Sequence, residues 1–253
     1  MDAEPEVIRI DLSKPLRLFP LPAVVLLPHA AVPLHVFEPR YRALLRDALD
    51  SDGLMGMAVY AERESDIDEP TFAENDQPPL RPCVAVGRLV KDERLEDGRH
   101  NILLHGVCRV RILEELPLHE DGYRLARVEP FGHEPDAAPA DALDAARRRL
   151  AALVEDERLD RLSVAEGLRR LIADDDIPTE AFVDLAALAV NRGNGGRYAA
   201  LAEADPLRRA ELLEDQLAAV LEMADDLPVD EDPGYDASDD DDEPEDDAGW
   251  PLN

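Results

Sequence analysis

The side chains able to carry chemistry are few, and their spacing excludes most chemistry. The histidines are His29, His35, His100, His105, His119 and His133, and the cysteines are Cys83 and Cys108. No histidines stand as in HExxH and the cysteines do not form CxxC, so neither zinc pattern is present. His35 and Glu38 lie close in sequence, but the chain turns from strand toward helix between them, so no common face presents both to a metal. Hydrogen bonding near a surface is the ordinary role of such a histidine. Ser13, Ser51 and Ser65 sit in polar, turn-like contexts, and Ser163 with Glu166 reads as a helix capping box. The lysines are Lys14 and Lys91. Neither lies in a Gly-rich phosphate loop, and a Ser–Lys nucleophile pair has only these two bases to draw on. There is no GxSxG turn. Glu38 and Arg40 flank Pro39 where a strand gives way to a helix, which suits a structural pair with negative charge near a helix N-terminus. The expectation is a chain with no catalytic residue, no metal and no cofactor.

Charge narrows the partners. The formal net charge is −31 over 253 residues, against the dense Lys/Arg surface that phosphate backbones or anionic membranes need. Prolines and charges interrupt every apolar run before it reaches the length of a membrane span. The opening MDAEPEVIRIDLSKP lacks a basic stretch followed by an apolar one, so a cytoplasmic location with reduced cysteines is expected. From Asp225 onward there are 14 Asp or Glu and no Lys or Arg. Such a segment buries too little apolar surface to offset its ordering entropy, so 225–253 is expected to be a disordered acidic tail. It reads as a solubiliser, or as a tether for a basic partner, with Trp250 as a possible docking point.

Two hydrophobic periods organise what lies between. Residues 1–15 form a polar lead-in. Leu16–Phe19, Val24–Leu27, Val32–Phe37 and Met55–Tyr60 read as short strands, with prolines at their edges and starts. Pro39 opens a helix whose apolar face is Tyr41, Leu44, Leu45, Ala48 and Leu49. Residues 61–81 read as a long loop. Cys83–Lys91, Asn101–His105, Val107–Leu113 and Tyr123–Phe131 read as an antiparallel meander, with turns at Asp97–Gly98 and Asp121–Gly122. Seven or eight short strands and one inserted helix over 16–132 suit a small closed or partly closed barrel. After the linker-like 132–140 the period changes from two to 3.6, and 133–224 reads as a helical bundle, its last helix opened by Asp205–Pro206. The fold class is therefore α+β.

Three stretches resemble a known family. LFPLPAVVLLPHAAVPLHVFEPRY resembles the start of the Lon protease N-terminal, substrate-binding domain, with Pro33, Leu34, Val36, Phe37, Glu38, Pro39, Arg40 and Tyr41 matching in order. GRLVKDERLEDGRHNILLHGVCRVRI resembles that family's hairpin through Asp97, Gly98, Arg99, Gly106, Arg109, Val110 and Ile112. LAEADPLRRAELLEDQL is a weaker match to its last helix. The resemblance covers about 16–224 and implies a PUA-like antiparallel β-barrel followed by an α-helical bundle. A full Lon protease continues into an AAA+ ATPase and a Ser–Lys peptidase domain, whereas here the helices lead into the acidic tail. The resemblance is therefore to the stand-alone bacterial form and implies a non-catalytic protein-binding module for unfolded segments or a partner protein. The alternatives are an adaptor of a separate full-length Lon protease and a small-molecule sensor or enzyme with a site in the barrel. Arg40 and Phe37 are expected to hold the barrel–helix junction together.

Overall fold

A computed structural model describes residues 10–22, 24–61, 77–132, 139–191 and 193–225. The acidic tail beyond Asp225, His133 and most of the expected 61–81 loop lie outside the described residues. The strands are β1 (Leu16–Leu21), β2 (Ala31–Val36), β3 (Leu54–Val59), β4 (Cys83–Arg94), β5 (His100–Leu116) and β6 (Arg124–Pro130). The helix α1 (Pro39–Leu49) lies between β2 and β3. The remaining helices are α2 (Ala140–Val154), α3 (Ala165–Ala173), α4 (Thr179–Val190), α5 (Asn194–Ala202) and α6 (Pro206–Asp225).

The strand pairings run β2-β5-β4-β3-β1-β6, and β6 also pairs with β5. That second pairing closes five strands into a ring and leaves β2 as a flap on the far half of β5. Closure removes the open edges of those five strands. One pairing departs from the antiparallel expectation: β1 runs parallel to β3, because α1 carries the chain across between them. The expected strand at Val24–Leu27 is instead an irregular segment, although Leu26 and Leu27 are fully buried. Its last turn is tied to β5 by His29 N–H to the Gly106 carbonyl at 2.9 Å and Gly106 N–H to the Ala30 carbonyl at 2.8 Å. The two expected strands on either side of Gly106 are one long strand, β5, bent by register shifts against β4.

Period-2 alternation gives the barrel two buried faces. Leu16, Leu18, Leu54, Ala58, Val84, Val86, Val110, Ala126 and Val128 fill its interior. There is no room there for more: a Cβ built at Gly56 would press on Leu16, Leu18 and Val84. The alternate residues Phe19, Met55, Met57, Cys83 and Ala85 face outward into a second core with α1, the 24–30 segment and α5. A third core joins α2, α3, α4 and α6 around Phe182, Leu150, Leu168, Leu213 and Leu217.

Among the helix starts, α6 follows local chemistry, whereas α3 and α5 do not. Asp205 accepts from Leu207 N–H at 2.9 Å just ahead of Pro206, which is the cap expected for α6. Ser163 makes no cap; α3 begins two residues later, with no side chain bonded to its first amides. A 3-10 turn at Glu157–Arg161 delivers the chain there, and the Leu162 carbonyl accepts from Ala165 N–H, closing the step without a serine. The helix α5 follows Gly193 in an Asn-Gly-Gly run that gives no helical signal. It forms because Tyr198, Ala200 and Leu201 bury against the barrel, and the Tyr198 hydroxyl accepts from Cys83 N–H at 3.0 Å.

Candidate functional site

The residues that mark the resemblance are gathered at the N-terminal end of α1, in the turn between β4 and β5 and around Gly106, and most of them pack or pair within the fold. Tyr41 is buried, its ring 4.4 Å from that of Phe19. Burial pushes its phenol well above the ordinary value. Arg40 donates to Glu38 at 2.9 Å and lies 4.5 Å from the centre of the Tyr41 ring. Glu38 precedes Pro39 and caps α1 only through its carbonyl, which accepts from the Tyr41 and Arg42 amides. Pro33 is exposed and Leu34 half-buried on β2, the strand with a neighbour on one side only. A proline is tolerated in that setting because its missing N–H can face away from the sheet. Gly106 is required by close approach, since any Cβ there would run into the Leu27 carbonyl. Gly98 has φ +79°, and a Cβ would displace the guanidinium of Arg42.

Phe37 departs from expectation. It is 59% exposed and does not pack into the barrel–helix junction. Its ring stacks at 6.1 Å on His35, which in turn lies 2.8 Å from Asn101 and 3.3 Å from Arg99.

Arg109 leads to a different place. It projects from the outer face of β5, is 5% exposed, and donates at 2.5 Å to Asp184 of α4, which is 1% exposed. Arg209 of α6 lies 3.5 Å from the same carboxylate. The excess positive charge is met by carbonyls at the C-terminal end of α5: Arg109 donates to Ala200, and Arg209 to Glu203 and Ala204. Burial and the nearby Arg109 lower the pKa of Arg209, and Asp184 opposes them. This knot joins the barrel to three helices and is closed to solvent. Sequence reasoning found Arg109 and missed Asp184 and Arg209. The available signal was a lone carboxylate inside AFVDLAALAV.

The face of α1 opposite Tyr41, Leu44 and Leu45 opens on a pocket of about 630 Å³. Its walls carry Arg42, Arg46 and Arg94 together with the carboxylates Asp50, Asp92 and Asp121, and Leu49 and His100 beside them. Phe37 is not part of the lining; it follows Val36, whose backbone pairs with the lining residue His100. Leu49 is 47% exposed and adds an apolar contact. Several polar groups here already have partners: His100 lies 2.6 Å from Asp92, and Arg46 donates at 3.1 Å to Asp47 and at 3.0 Å to Asp121. Arg42 and Arg94 have no ion-pair or hydrogen-bond partner among the described residues. The α1 stripe of Pro39, Arg42, Arg46 and Leu49 at helical spacing was the sequence signal for this wall.

Asp47, His119 and Asp121 present ligand atoms within 4.8 Å of one another. Burial opposes ionisation of Asp47, and hydrogen bonds from Tyr123 and Arg46 more than offset it, leaving the carboxyl below its ordinary value. Arg46 bridges both carboxylates, so its guanidinium supplies the positive charge the cluster calls for. Cys83 and Cys108 are free thiols, and burial raises Cys108 to about 11, which keeps it protonated and unreactive. Among the described residues no helix is long and apolar enough to cross a membrane.

Comparison with known proteins agrees with this architecture. The sequence model of the ATP-dependent protease La (LON) substrate-binding domain matches residues 15–219. Lon protease 2 of Sorangium cellulosum is 34% identical over 112 residues, which is 44% of this chain and 13% of that protein. Lon protease 2 of Myxococcus xanthus is 28% identical over 119 residues, 47% of this chain and again 13% of the relative. The chain thus matches a small fraction of the length of these curated relatives. Among solved structures, the N-terminal domain of the Mycobacterium avium complex Lon protease superposes with a TM-score of 0.59 at 16% identity, covering 81% of this chain and 98% of that one. A Lon N-terminal domain protein from Xanthomonas campestris gives 0.50 at 23% identity, covering 79% and 96%. These likenesses show the fold.

Proposed function

Since the chain belongs to the family of the ATP-dependent protease La (LON) substrate-binding domain, we propose that it is a non-catalytic module that binds unfolded protein segments. We propose further that the pocket between α1 and the β4–β5 hairpin is where it holds them. The observation that carries this reading is the combination at that pocket of guanidiniums without an ion pair among the described residues, Arg42 and Arg94, lining carboxylates, and the exposed Leu49, with the exposed Phe37 following the strand that pairs with His100. An extended chain offers backbone carbonyls and carboxylates to the arginines and apolar side chains to Leu49. Charge-assisted hydrogen bonds of this kind are stronger than neutral ones and tolerate many sequences. The barrel interior is packed with its own side chains and leaves no room there for a client.

The test uses the full chain and fluorescently labelled β-casein as an unfolded client, with a native globular protein as control. Casein is expected to bind and the native control not to. Arg42→Ala combined with Arg94→Ala should weaken binding at least about tenfold, the loss of about 1.4 kcal/mol, with an unchanged thermal midpoint. Casein binding that is absent, or indifferent to these changes and to Phe37→Ala, would overturn the assignment of this surface.

A further inference from the structure

The charges lining the α1–hairpin pocket are of both signs, and some of them already engage one another. Asp92 lies 2.6 Å from His100, and Asp121 accepts from Arg46 at 3.0 Å. The side chains of Arg42, Arg94 and Asp50 have no hydrogen-bond or ion-pair partner among the described residues. They line the same pocket without pairing with each other. Resting on the client reading above, we infer that the pocket selects client segments that carry an acidic and a basic side chain a few residues apart. The acidic one meets Arg42 and Arg94, and the basic one meets Asp50.

The two cations are both at the hairpin. Arg94 belongs to β4, and the Arg42 guanidinium lies over Gly98 in the turn that follows it. Asp50 is at the other end of α1, which it caps through its backbone, its N–H bonding the Arg46 carbonyl at 2.9 Å. The carbonyl end of a helix favours a cation, so a carboxylate there adds nothing to the helix and deepens the negative potential. Along the helix axis, Arg42 and Asp50 are separated by a rise of about 12 Å. An extended chain covers that distance in about three to four residues. Leu49, beside Asp50, offers an apolar contact to a side chain in between. A purely acidic segment meets Asp50, Asp92 and Asp121, and a purely basic one meets Arg42, Arg46 and Arg94, so like charge disfavours both.

The test uses the full chain and short peptides bearing a neutral fluorescent dye, blocked at both ends so that only side chains carry charge. One pair of peptides holds a Glu and a Lys about three residues apart, in either order. The others hold a pair of Glu, a pair of Lys, or Glu and Lys side by side. A spaced Glu/Lys peptide should bind about tenfold more tightly than either uniform one. Asp50→Lys should reverse the choice, so that the Glu pair binds best by about tenfold. Lysine suits the end of α1, so this variant should keep the wild-type thermal midpoint. Arg42→Ala combined with Arg94→Ala should abolish the advantage of the spaced peptide over the Lys pair. Arg148→Ala, an exposed arginine on α2, should change nothing. Equal affinities for all the peptides, or a choice that Asp50→Lys leaves as it was, overturns the inference. If casein still binds through Arg42 and Arg94 in that event, the client-binding assignment stands without the charge pattern. If the spaced peptide is selected while casein fails to bind, the charge pattern stands and the unfolded-client reading falls.

Discussion

Arginine does opposite work on two sides of this barrel. On the bundle side, Arg109 and Arg209 are sealed from water around Asp184, and the carbonyl end of α5 absorbs their surplus charge. On the α1 side, Arg42 and Arg94 stand over an open pocket shared with Asp50, Asp92 and Asp121 and form no ion pair among the described residues. A buried cation must be matched inside the protein or it costs several kcal/mol. An accessible one is stabilised by water and keeps its charge for a ligand. The contrast separates a fastening from a binding surface within a single residue type, and each half of it can be broken.

The largest effect is expected at the fastening. Asp184→Ala leaves two guanidiniums buried face to face and should cost about 3–5 kcal/mol in urea unfolding. Arg42→Ala and Arg94→Ala should change stability by no more than about 0.5 kcal/mol. Equal unfolding midpoints for the buried and the open variants would abolish the distinction. Next in size is Gly106→Ala. It forces a methyl group into the Leu27 carbonyl and breaks the paired amide bonds that seat the 24–30 segment on β5. Overpacking of this kind costs about 1–3 kcal/mol. A wild-type midpoint would mean that the segment shifts freely.

The α1 junction should respond less. Arg40→Ala removes a pair with Glu38 whose side chains are 39% and 37% exposed, and such pairs contribute at most about 1 kcal/mol. Phe37→Ala should leave stability within about 0.5 kcal/mol of wild type because the ring is already in water. It should nevertheless weaken casein binding. A large loss of stability from Phe37→Ala would return that residue to the fold and remove it from the binding surface.

Much of this could be read in advance, and the failures have physical reasons. Strand alternation exposed the meander, and Asp97–Gly98, Asp121–Gly122 and Asp205–Pro206 announced their turns and cap because those signals are local. The helix α5 was invisible because its start is glycine-rich and its stability comes from burial of Tyr198 and Leu201 against β4 and its neighbours, a contact across the whole chain. Phe37 was misassigned for a related reason. Its neighbours Val36 and Tyr41 are core residues, and one step along a strand moves a side chain from one face to the other. Arg109 stood out as part of a motif, but its meaning lies in Asp184, 75 positions away. The pocket depends on a helix and a hairpin that meet only after folding, and Leu49, expected on the buried face of α1 with Tyr41 and Leu44, is 47% exposed in its wall.

The smallest expected effect concerns pH and belongs to the fastening side. His29 occupies the left-handed region at φ +67° and bonds through its backbone to Gly106. Its side chain keeps an exposed edge, but the protein packed around the rest withholds water and lowers its pKa below the ordinary 6.5, with Arg109 and His105 pushing the same way against Asp184 and Glu180. A base whose pKa is depressed by folding is protonated more readily when unfolded. The stability it contributes is therefore complete above about pH 6.5 and is lost progressively as the pH falls toward its lower folded value. The wild-type thermal midpoint should decline between pH 7.5 and 5.5 (a window set by that sign). His29→Asn keeps a residue that tolerates the left-handed backbone and removes the titrating ring. Its midpoint should decline less over the same window, and Arg42→Ala, on the far side of the comparison, should follow wild type. If His29→Asn and wild type lose stability in parallel, protonation near the buried knot does not set this slope, and the exposed carboxylates do.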